Sequence, residues 1–165
     1  AILTSDRNQP RDLTRLAGAR AAFEGRENVV VYEVYTMPEA VEAARQALMR
    51  AVEADRNERI SGWVILGPWP LLSYEPLPFD DDRFIISAVG GLPPMLPYLQ
   101  RQQVIALATP DYARWGAEAL KALVEKCDRD RDPPTAVIRA QPRLIRPADL
   151  PDYAAEWAQR PPFQP

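Results

Sequence analysis

The feature that most constrains the fold is a pair of short apolar runs, each followed by a tight turn and then by a helical pattern. The runs are Phe84–Val89 and Val104–Ala108, and the turns are Gly90-Gly91 and Thr109-Pro110. Runs that are continuously apolar over this length are typical of strands buried on both faces of a parallel sheet. The turns after such strands lie together at the carboxyl edge of the sheet, where ligands bind in α/β proteins. The segment therefore predicts both a parallel sheet and the place to look for a site.

The rest of the chain continues this alternation of strands and helices. Further strands are predicted at Ala1–Ser5, Val29–Tyr35 and Gly62–Leu66, with an edge strand at Ala136–Arg139. Helices are predicted at Asp12–Glu24, Pro94–Gln102, Asp111–Lys126 and Ala148–Gln159. A further helix is predicted after β-strand Val29–Tyr35, where Thr36 and Glu39 have the spacing of a capping box. This order predicts one α/β domain over residues 1–165, with a mostly parallel sheet between two helical layers, an irregular proline-rich connection at 67–82 and a frayed tail at 160–165.

Composition excludes several kinds of chemistry. The 165 residues contain no histidine and one cysteine, Cys127, so His-based catalysis, His-ligated metals and an intrachain disulfide are all excluded. The net charge of −3 gives no reason to expect nucleic acid as a partner. Since no nucleophile–base pair, phosphate loop or metal-ligand cluster is present, we expect neither an enzyme nor a bound cofactor or metal.

Several stretches resemble type 1 periplasmic solute-binding proteins of the ribose-binding kind, which serve ABC transporters. AILTSDRNQPRDLTRLAGARAAFEG is similar to the opening of that family's C-terminal lobe, and NVVVYEVYTMPEAVEAARQALMRA to its next strand and helix. AVGGLPPMLPYLQRQQVIALATPDYARWG is similar to the pattern of two later strands, and IRPADLPDYAAEWAQ to the closing segment. The resemblance covers nearly the whole chain and implies a periplasmic-binding-protein-like fold, here as the C-terminal lobe alone.

The resemblance also implies a function and partners. It implies a periplasmic or extracellular protein, with a lipid anchor as an option for the full-length protein. The two lobes of that protein would close around a sugar-like solute, and an ABC permease in the membrane would recognise the closed form. Residues 111–133 would dock on the missing N-terminal lobe, or the Trp115/Leu120 face would join a second copy. Two alternatives stay open: a ligand-sensing domain of a lactose-repressor-type regulator or signalling receptor, and a stand-alone oligomerising module.

Two candidate site residues bring side chains suited to a sugar. The resemblance places Arg15 at the family's sugar-contacting arginine, where a planar guanidinium would bind neighbouring oxygens. The alternative is an ordinary arginine on a helix surface. Trp69 lies in a proline-bounded loop after the third strand, where its indole would stack on a sugar ring. The alternative is a tryptophan that fills the core beneath the loop.

Three further candidates lie after the strands of the opening segment. The resemblance matches Gly90 to a common aspartate and Thr109 to a common glutamine, so both positions lack the side chains that usually bind the sugar. Either the ligand differs, or binding has decayed, or the two residues simply suit their turns. Asp111 is expected to cap a helix whose beginning faces the cleft.

Overall fold

The predicted strands form one six-stranded sheet in a computed structural model, which describes residues 1–5, 8–77, 79, 83–132 and 141–159. The strands are β1 Ile2–Thr4, β2 Val34–Thr36, β3 Gly62–Ile65, β4 Ile85–Val89, β5 Ala106–Thr109 and β6 Arg143–Ile145. Their order across the sheet is β2-β1-β3-β4-β5-β6, in which β1 to β5 are parallel and β6 runs antiparallel to β5. The predicted α/β class with a mostly parallel sheet is confirmed.

Five helices accompany the sheet in the described residues, together with three short 3₁₀ turns. The helices are α1 Pro10–Phe23, α2 Val41–Ala54, α3 Leu96–Gln100, α4 Tyr112–Arg129 and α5 Leu150–Ala158; the turns are Trp69–Leu71, Pro93–Met95 and Pro147–Asp149. Proline lies in the first turn of α1, where its missing N–H leaves no helical hydrogen bond unmade. Gly25 adopts a φ of 74° after α1, in the left-handed region that favours glycine, and so ends that helix.

The main core lies on one face of the sheet. Leu3, Trp63, Ile65, Ile86 and Leu107 point to this face and pack against α2, α3 and α5. The opposite face has a smaller cluster, in which Ile2, Val34 and Leu66 pack against Leu16 of α1. The three-layer arrangement is therefore unequal, because one face is covered far more completely than the other.

The second strand is shorter than predicted. The apolar run indicated a strand over Val29–Tyr35, whereas β2 begins only at Val34, and Val30 is 82% exposed. Ile2 is already the register partner of Val34, and its N–H donates to Glu33 O at 3.0 Å. Residues 29–33 therefore run past the start of β1 and find no strand to pair with in the described part of the chain.

The start of α2 also differs from the prediction. Thr36 belongs to β2, and α2 begins at Val41 after Ala40, which has no side-chain cap. Glu39 instead pairs with Arg11, so the predicted Thr36/Glu39 capping box is wrong. The segment after β3 is irregular as predicted, and among its described residues it forms only the Trp69–Leu71 turn. The predicted edge strand at 136–139 and the tail at 160–165 lie outside the described residues.

Candidate functional site

The strand order places a crevice between β1 and β3. From β1 the chain crosses to β2 on one side, whereas from β3 it proceeds to β4 on the other side. The connections that leave β1 and β3 therefore diverge at the carboxyl edge of the sheet. In open α/β sheets a ligand site typically lies at such a switch point. The residues that follow β1 and β3 are consequently the first candidates for binding.

Arg15 lies at this switch point. It is carried by α1, the helix that follows β1, and its Nη1 donates a hydrogen bond to Leu66 O, just after β3, at 3.3 Å. The side chain keeps a third of its surface accessible to solvent. The guanidinium therefore spans the two diverging connections and has a part that is open to a ligand.

Asp12 holds the positive charges of this edge in place. Its carboxylate is fully buried, accepts hydrogen bonds from Arg11 Nε at 3.1 Å and Nη2 at 3.0 Å, and lies 3.6 Å from Arg15 Nη1. The side-chain hydrogen bond to Asp12 raises the pKa of Arg11 above its ordinary value. Because a buried carboxylate needs such partners, Asp12 orients the two guanidiniums and is itself withdrawn from any ligand.

Ser5 and Gly67 face each other across the same crevice. A Cβ atom at Gly67 would lie 3.6 Å from Ser5 Oγ, 3.3 Å from Trp69 Cδ1 and 2.9 Å from Met37 Cε. A side chain at Gly67 would meet Ser5 Oγ at an ordinary van der Waals distance, but the Met37 methyl group and the Trp69 ring would have to move. Ser5 Oγ and its neighbour Thr4 Oγ1 are buried and have no hydrogen-bond partner in the described residues. A buried hydroxyl without a partner is costly, so a ligand atom or water at this edge would be favoured.

Trp69 opens the short turn after Gly67. Its ring is partly buried and packs against the edge of the main core. The structure therefore combines features of both alternatives considered for this residue, because the ring packs against the core, is only partly buried and has its Cδ1 beside Gly67. Arg15, Ser5 and Trp69 are brought together around Leu66 and Gly67.

Gly90 and Thr109 lie further along the edge, Gly90 directly after β4 and Thr109 as the last residue of β5, and both are tightly packed. Gly90 has a φ of 144°, and a Cβ there would lie 2.5 Å from both Sδ and Cε of Met95, which occupies this space. Thr109 is buried, and its hydroxyl donates to Pro110 O at 3.1 Å and lies 3.4 Å from Tyr153 Oη. Tyr153 in turn donates to Gly91 O at 2.8 Å. These contacts give both residues a structural task, and their role towards a ligand stays a prediction.

Asp111 and Tyr112 begin α4 beside the crevice. Asp111 Oδ1 accepts a hydrogen bond from Arg114 N at 3.0 Å, which confirms the predicted cap. Burial raises the pKa of Tyr112; Tyr153 acts in the same direction and Arg15 in the opposite one. Tyr112 therefore lies within electrostatic reach of Arg15. The sequence pattern does not indicate this proximity, because it depends on how α4 and α1 are placed relative to each other.

Other kinds of site have less support in the described residues. No three acidic or cysteine side chains among them come close enough together to hold a metal ion. None of the described helices has the length and apolar character that a membrane span requires.

Solved structures of sugar-binding transport proteins have a fold similar to that of this chain. A solute-binding protein of an ABC transporter from Bacillus halodurans, with bound myo-inositol, superposes with a TM-score of 0.73 at 20% identity. A carbohydrate transporter solute-binding protein from Agrobacterium radiobacter, in complex with D-arabinose, gives 0.78 at 13% identity. The arabinose-binding protein from Shewanella sp. ANA-3 gives 0.75 at 12% identity. The chain has the fold of type 1 periplasmic sugar-binding proteins.

The similarity covers almost all of this chain and about half of each of the others. The three alignments include 94%, 93% and 99% of the present residues but 54%, 53% and 57% of the respective transporter proteins. No family model and no curated protein sequence matches the chain. These structural matches are transport proteins, so they give no support to the alternative of a transcription regulator.

Proposed function

We propose that this chain is the C-terminal lobe of a solute-binding protein of an ABC importer and that it binds a sugar or similar polyol. The observation that carries the proposal is the meeting of Arg15, Ser5 and Trp69 at the switch point of a sheet with this fold. A guanidinium and a hydroxyl supply hydrogen bonds to sugar oxygens, and an indole supplies a face for the C–H groups of a ring. Gly90, Thr109 and Asp111 would border the same cleft.

The proposed mechanism of solute binding depends on the two lobes of the full-length protein. A solute that binds both lobes favours the closed arrangement by the difference between its affinities for the closed and open forms. Hinge closure of this kind is a common response of two-domain binding proteins. A membrane permease would then recognise the closed form. We propose a periplasmic or extracellular location, with a lipid anchor as an option for the full-length protein. We also propose that the protein binds its solute and does not catalyse a reaction.

Helix α4 supports the presence of a second lobe. None of its residues is buried, and it exposes Tyr112, Trp115, Leu120, Leu123 and Val124. An apolar surface of this kind usually marks an interaction site. Because the chain spans about half the length of its structural neighbours, we propose the N-terminal lobe as the occupant. A second copy joined through the Trp115/Leu120 face is the alternative outcome.

The binding proposal is tested by a titration of the 165-residue chain with myo-inositol, D-arabinose and D-allose, followed by ¹⁵N–¹H NMR. One lobe offers roughly half of a site, so we expect Kd values of about 1 mM or weaker, near −4 kcal/mol. At least one sugar should shift the amide signals of Ser5 and Gly67.

The matched variants are Arg15→Met and Arg20→Met. Both remove one guanidinium from α1, but only Arg15 contacts the crevice, so only Arg15→Met should remove the response. The proposal is wrong if no sugar shifts the Ser5 and Gly67 signals at about 50 mM, well above a millimolar Kd. An equal loss of response in both variants would also contradict the assigned site.

A further inference from the structure

The connection between β3 and β4 has an unusual need for hydrogen-bond partners. Neighbouring parallel strands are normally joined through a helix, which satisfies its own backbone. Here the described residues from 66 to 77 form one short 3₁₀ turn and a series of bends. The backbone carbonyls of such a segment must find partners elsewhere when they are buried. The segment also contains Gly67 and Trp69, so its position determines the geometry of the candidate site.

Arg45 of α2 binds three of these carbonyls. Its Nη1 donates to Pro70 O and Glu75 O, both at 3.3 Å, and its Nη2 donates to Pro76 O at 2.7 Å. The residue is only 7% exposed. No carboxylate among the described residues forms an ion pair with Arg45. The charge is therefore stabilised by carbonyl dipoles of the connection rather than by a counter-ion.

Tyr98 and Gln103 complete this arrangement from the other side. Tyr98 Oη accepts from Arg45 Nη1 at 3.2 Å, and its proton is directed towards two carbonyl oxygens of the connection, Ser73 O at 2.5 Å and Glu75 O at 2.7 Å. The Gln103 amide pairs with Leu77 in both directions, receiving its N–H at 3.1 Å and donating to its carbonyl at 3.3 Å. Three buried polar side chains from separate parts of the chain thus hold one irregular segment.

We propose that Arg45 is a positioning residue of the binding site, which sets the place of Trp69 through the carbonyls of the following turn. Pro70, whose carbonyl Arg45 binds, is the residue directly after Trp69. Charge-assisted hydrogen bonds are about twice as strong as neutral ones, and the guanidinium fork fixes several acceptors in one plane. Arg15 holds the same connection at Leu66, so the segment is fixed on both sides of Gly67 and Trp69. The inference rests on the proposed function of this site.

The first test needs no ligand. The protein contains four tryptophans, and labelling with 5-fluorotryptophan gives one ¹⁹F NMR signal for each, assigned by single Trp→Phe variants. Arg45→Met should shift or broaden the Trp69 signal and leave that of Trp115, on α4, unchanged. The control is Arg50→Met, which removes an exposed arginine from the same helix. A Trp69 signal that is the same in the wild type and in Arg45→Met overturns the inference.

A second variant protects the test against loss of folding. Arg45→Lys keeps the positive charge but replaces the planar fork by a single nitrogen, so it cannot occupy the positions of both Nη1 and Nη2. We expect it to fold and to show a smaller change of the Trp69 signal. If Arg45→Met does not fold and Arg45→Lys leaves the Trp69 signal unchanged, the inference is wrong.

The affinity test separates a positioning role from a merely structural one. With myo-inositol as the probe, Arg45→Met should weaken binding about tenfold, the equivalent of roughly 1.4 kcal/mol. In a Trp69→Ala background the same change should have no further effect on affinity, although it should still lower thermal stability. Equal losses of affinity in both backgrounds would contradict the inference. If the wild type responds to none of the sugars, the proposed function fails, while the ¹⁹F result still decides the role of Arg45.

Discussion

Buried polar side chains in this protein mostly bind the backbone of irregular segments. Asp55, just after α2, accepts hydrogen bonds from Arg59 N at 3.0 Å and Ile60 N at 2.8 Å. Tyr153 binds Gly91 O, and Arg45 and Gln103 bind the connection after β3. Each of these side chains replaces the regular hydrogen bonding that a helix or sheet would provide. The loops at the candidate site are therefore fixed from within the core.

Tyr98 gives this arrangement a measurable dependence on pH. Burial raises its pKa above the ordinary value of 10.0, while Arg45 acts in the opposite direction. The unfolded chain therefore loses the tyrosine proton at lower pH than the folded protein. The stability due to the neutral hydroxyl is fully present below about pH 10 and is lost as the pH rises through the raised folded-state pKa.

We predict that Tyr98→Phe has two effects on the free energy of unfolding. At neutral pH it should fall by about 1–3 kcal/mol, because Arg45, Ser73 O and Glu75 O each lose the hydroxyl as a partner. Above about pH 10 the decrease of stability with pH should be less steep than in the wild type. Urea unfolding at several pH values measures both effects, with the exposed Tyr74→Phe as the control. If the free energy of unfolding fell equally steeply with rising alkaline pH in the wild type and in Tyr98→Phe, this pH dependence would not come from Tyr98.

At the level of single residues, sequence identified local roles better than tertiary ones. The capping role of Asp111 follows from its place directly before an apolar helical stripe, and the structure confirms it. Arg15 was found only through a family resemblance, and the structure places it at the switch point. Arg45 and Ser5 were missed, because nothing in an alternating helix or strand pattern distinguishes a buried polar residue from an exposed one.

Element boundaries depend on neighbouring elements as well as on local pattern. Val29–Tyr35 has the composition of a strand, yet only its last residues find β1 beside them. Thr36 and Glu39 have the spacing of a capping box, but Thr36 is taken into β2 and Glu39 pairs with Arg11. In both cases a tertiary contact overrides a local preference, which the sequence of one segment cannot show.

Helix α4 has its apolar side directed away from the body of the protein. Trp115, Leu120 and Leu123 are each about half exposed or more. Ion pairs such as Arg129–Glu125, at 2.8 Å, stabilise the helix along its own surface. The helix is therefore formed locally, while its apolar stripe remains available to the second lobe or to another copy.

We predict that this stripe causes the 165-residue chain to associate as its concentration rises. Leu120→Lys should shift the protein towards the monomer in sedimentation velocity, because a charge on the stripe opposes its burial. The free energy of unfolding should change by less than about 0.5 kcal/mol, since the Leu120 side chain is largely exposed.

The control is Lys121→Ala, which lies about 100° around the helix from Leu120 and roughly opposite the middle of the stripe formed by Trp115, Leu120 and Leu123. It should leave the association unchanged. A wild type that stays monomeric at every concentration would count against the stripe as a docking surface. Association that persists in Leu120→Lys would locate the contact elsewhere.

At the scale of the whole molecule, the two faces of the sheet differ. In β4, Ile86 points to the main core and is 1% exposed, whereas its neighbour Ile85 points to the other face and is 64% exposed. Leu144 of β6 pairs with Ala108 and therefore points to the same second face, where it is also exposed. The alternation of strands and helices predicted three layers, but how much of each face a helix covers depends on packing that the pattern does not specify.

This difference between the two faces predicts that substitutions at two adjacent residues of β4 have very different effects on the free energy of unfolding. Ile86→Ala should lower the free energy of unfolding by about 2–5 kcal/mol, because it leaves a cavity in the packed core. Ile85→Lys should change it by less than about 0.5 kcal/mol, because the new charge remains in water. The midpoints of urea unfolding at constant m-value measure both changes. If Ile85→Lys were as destabilising as Ile86→Ala, the second face would have to be covered in solution, by another copy of the chain or by residues outside the described ranges.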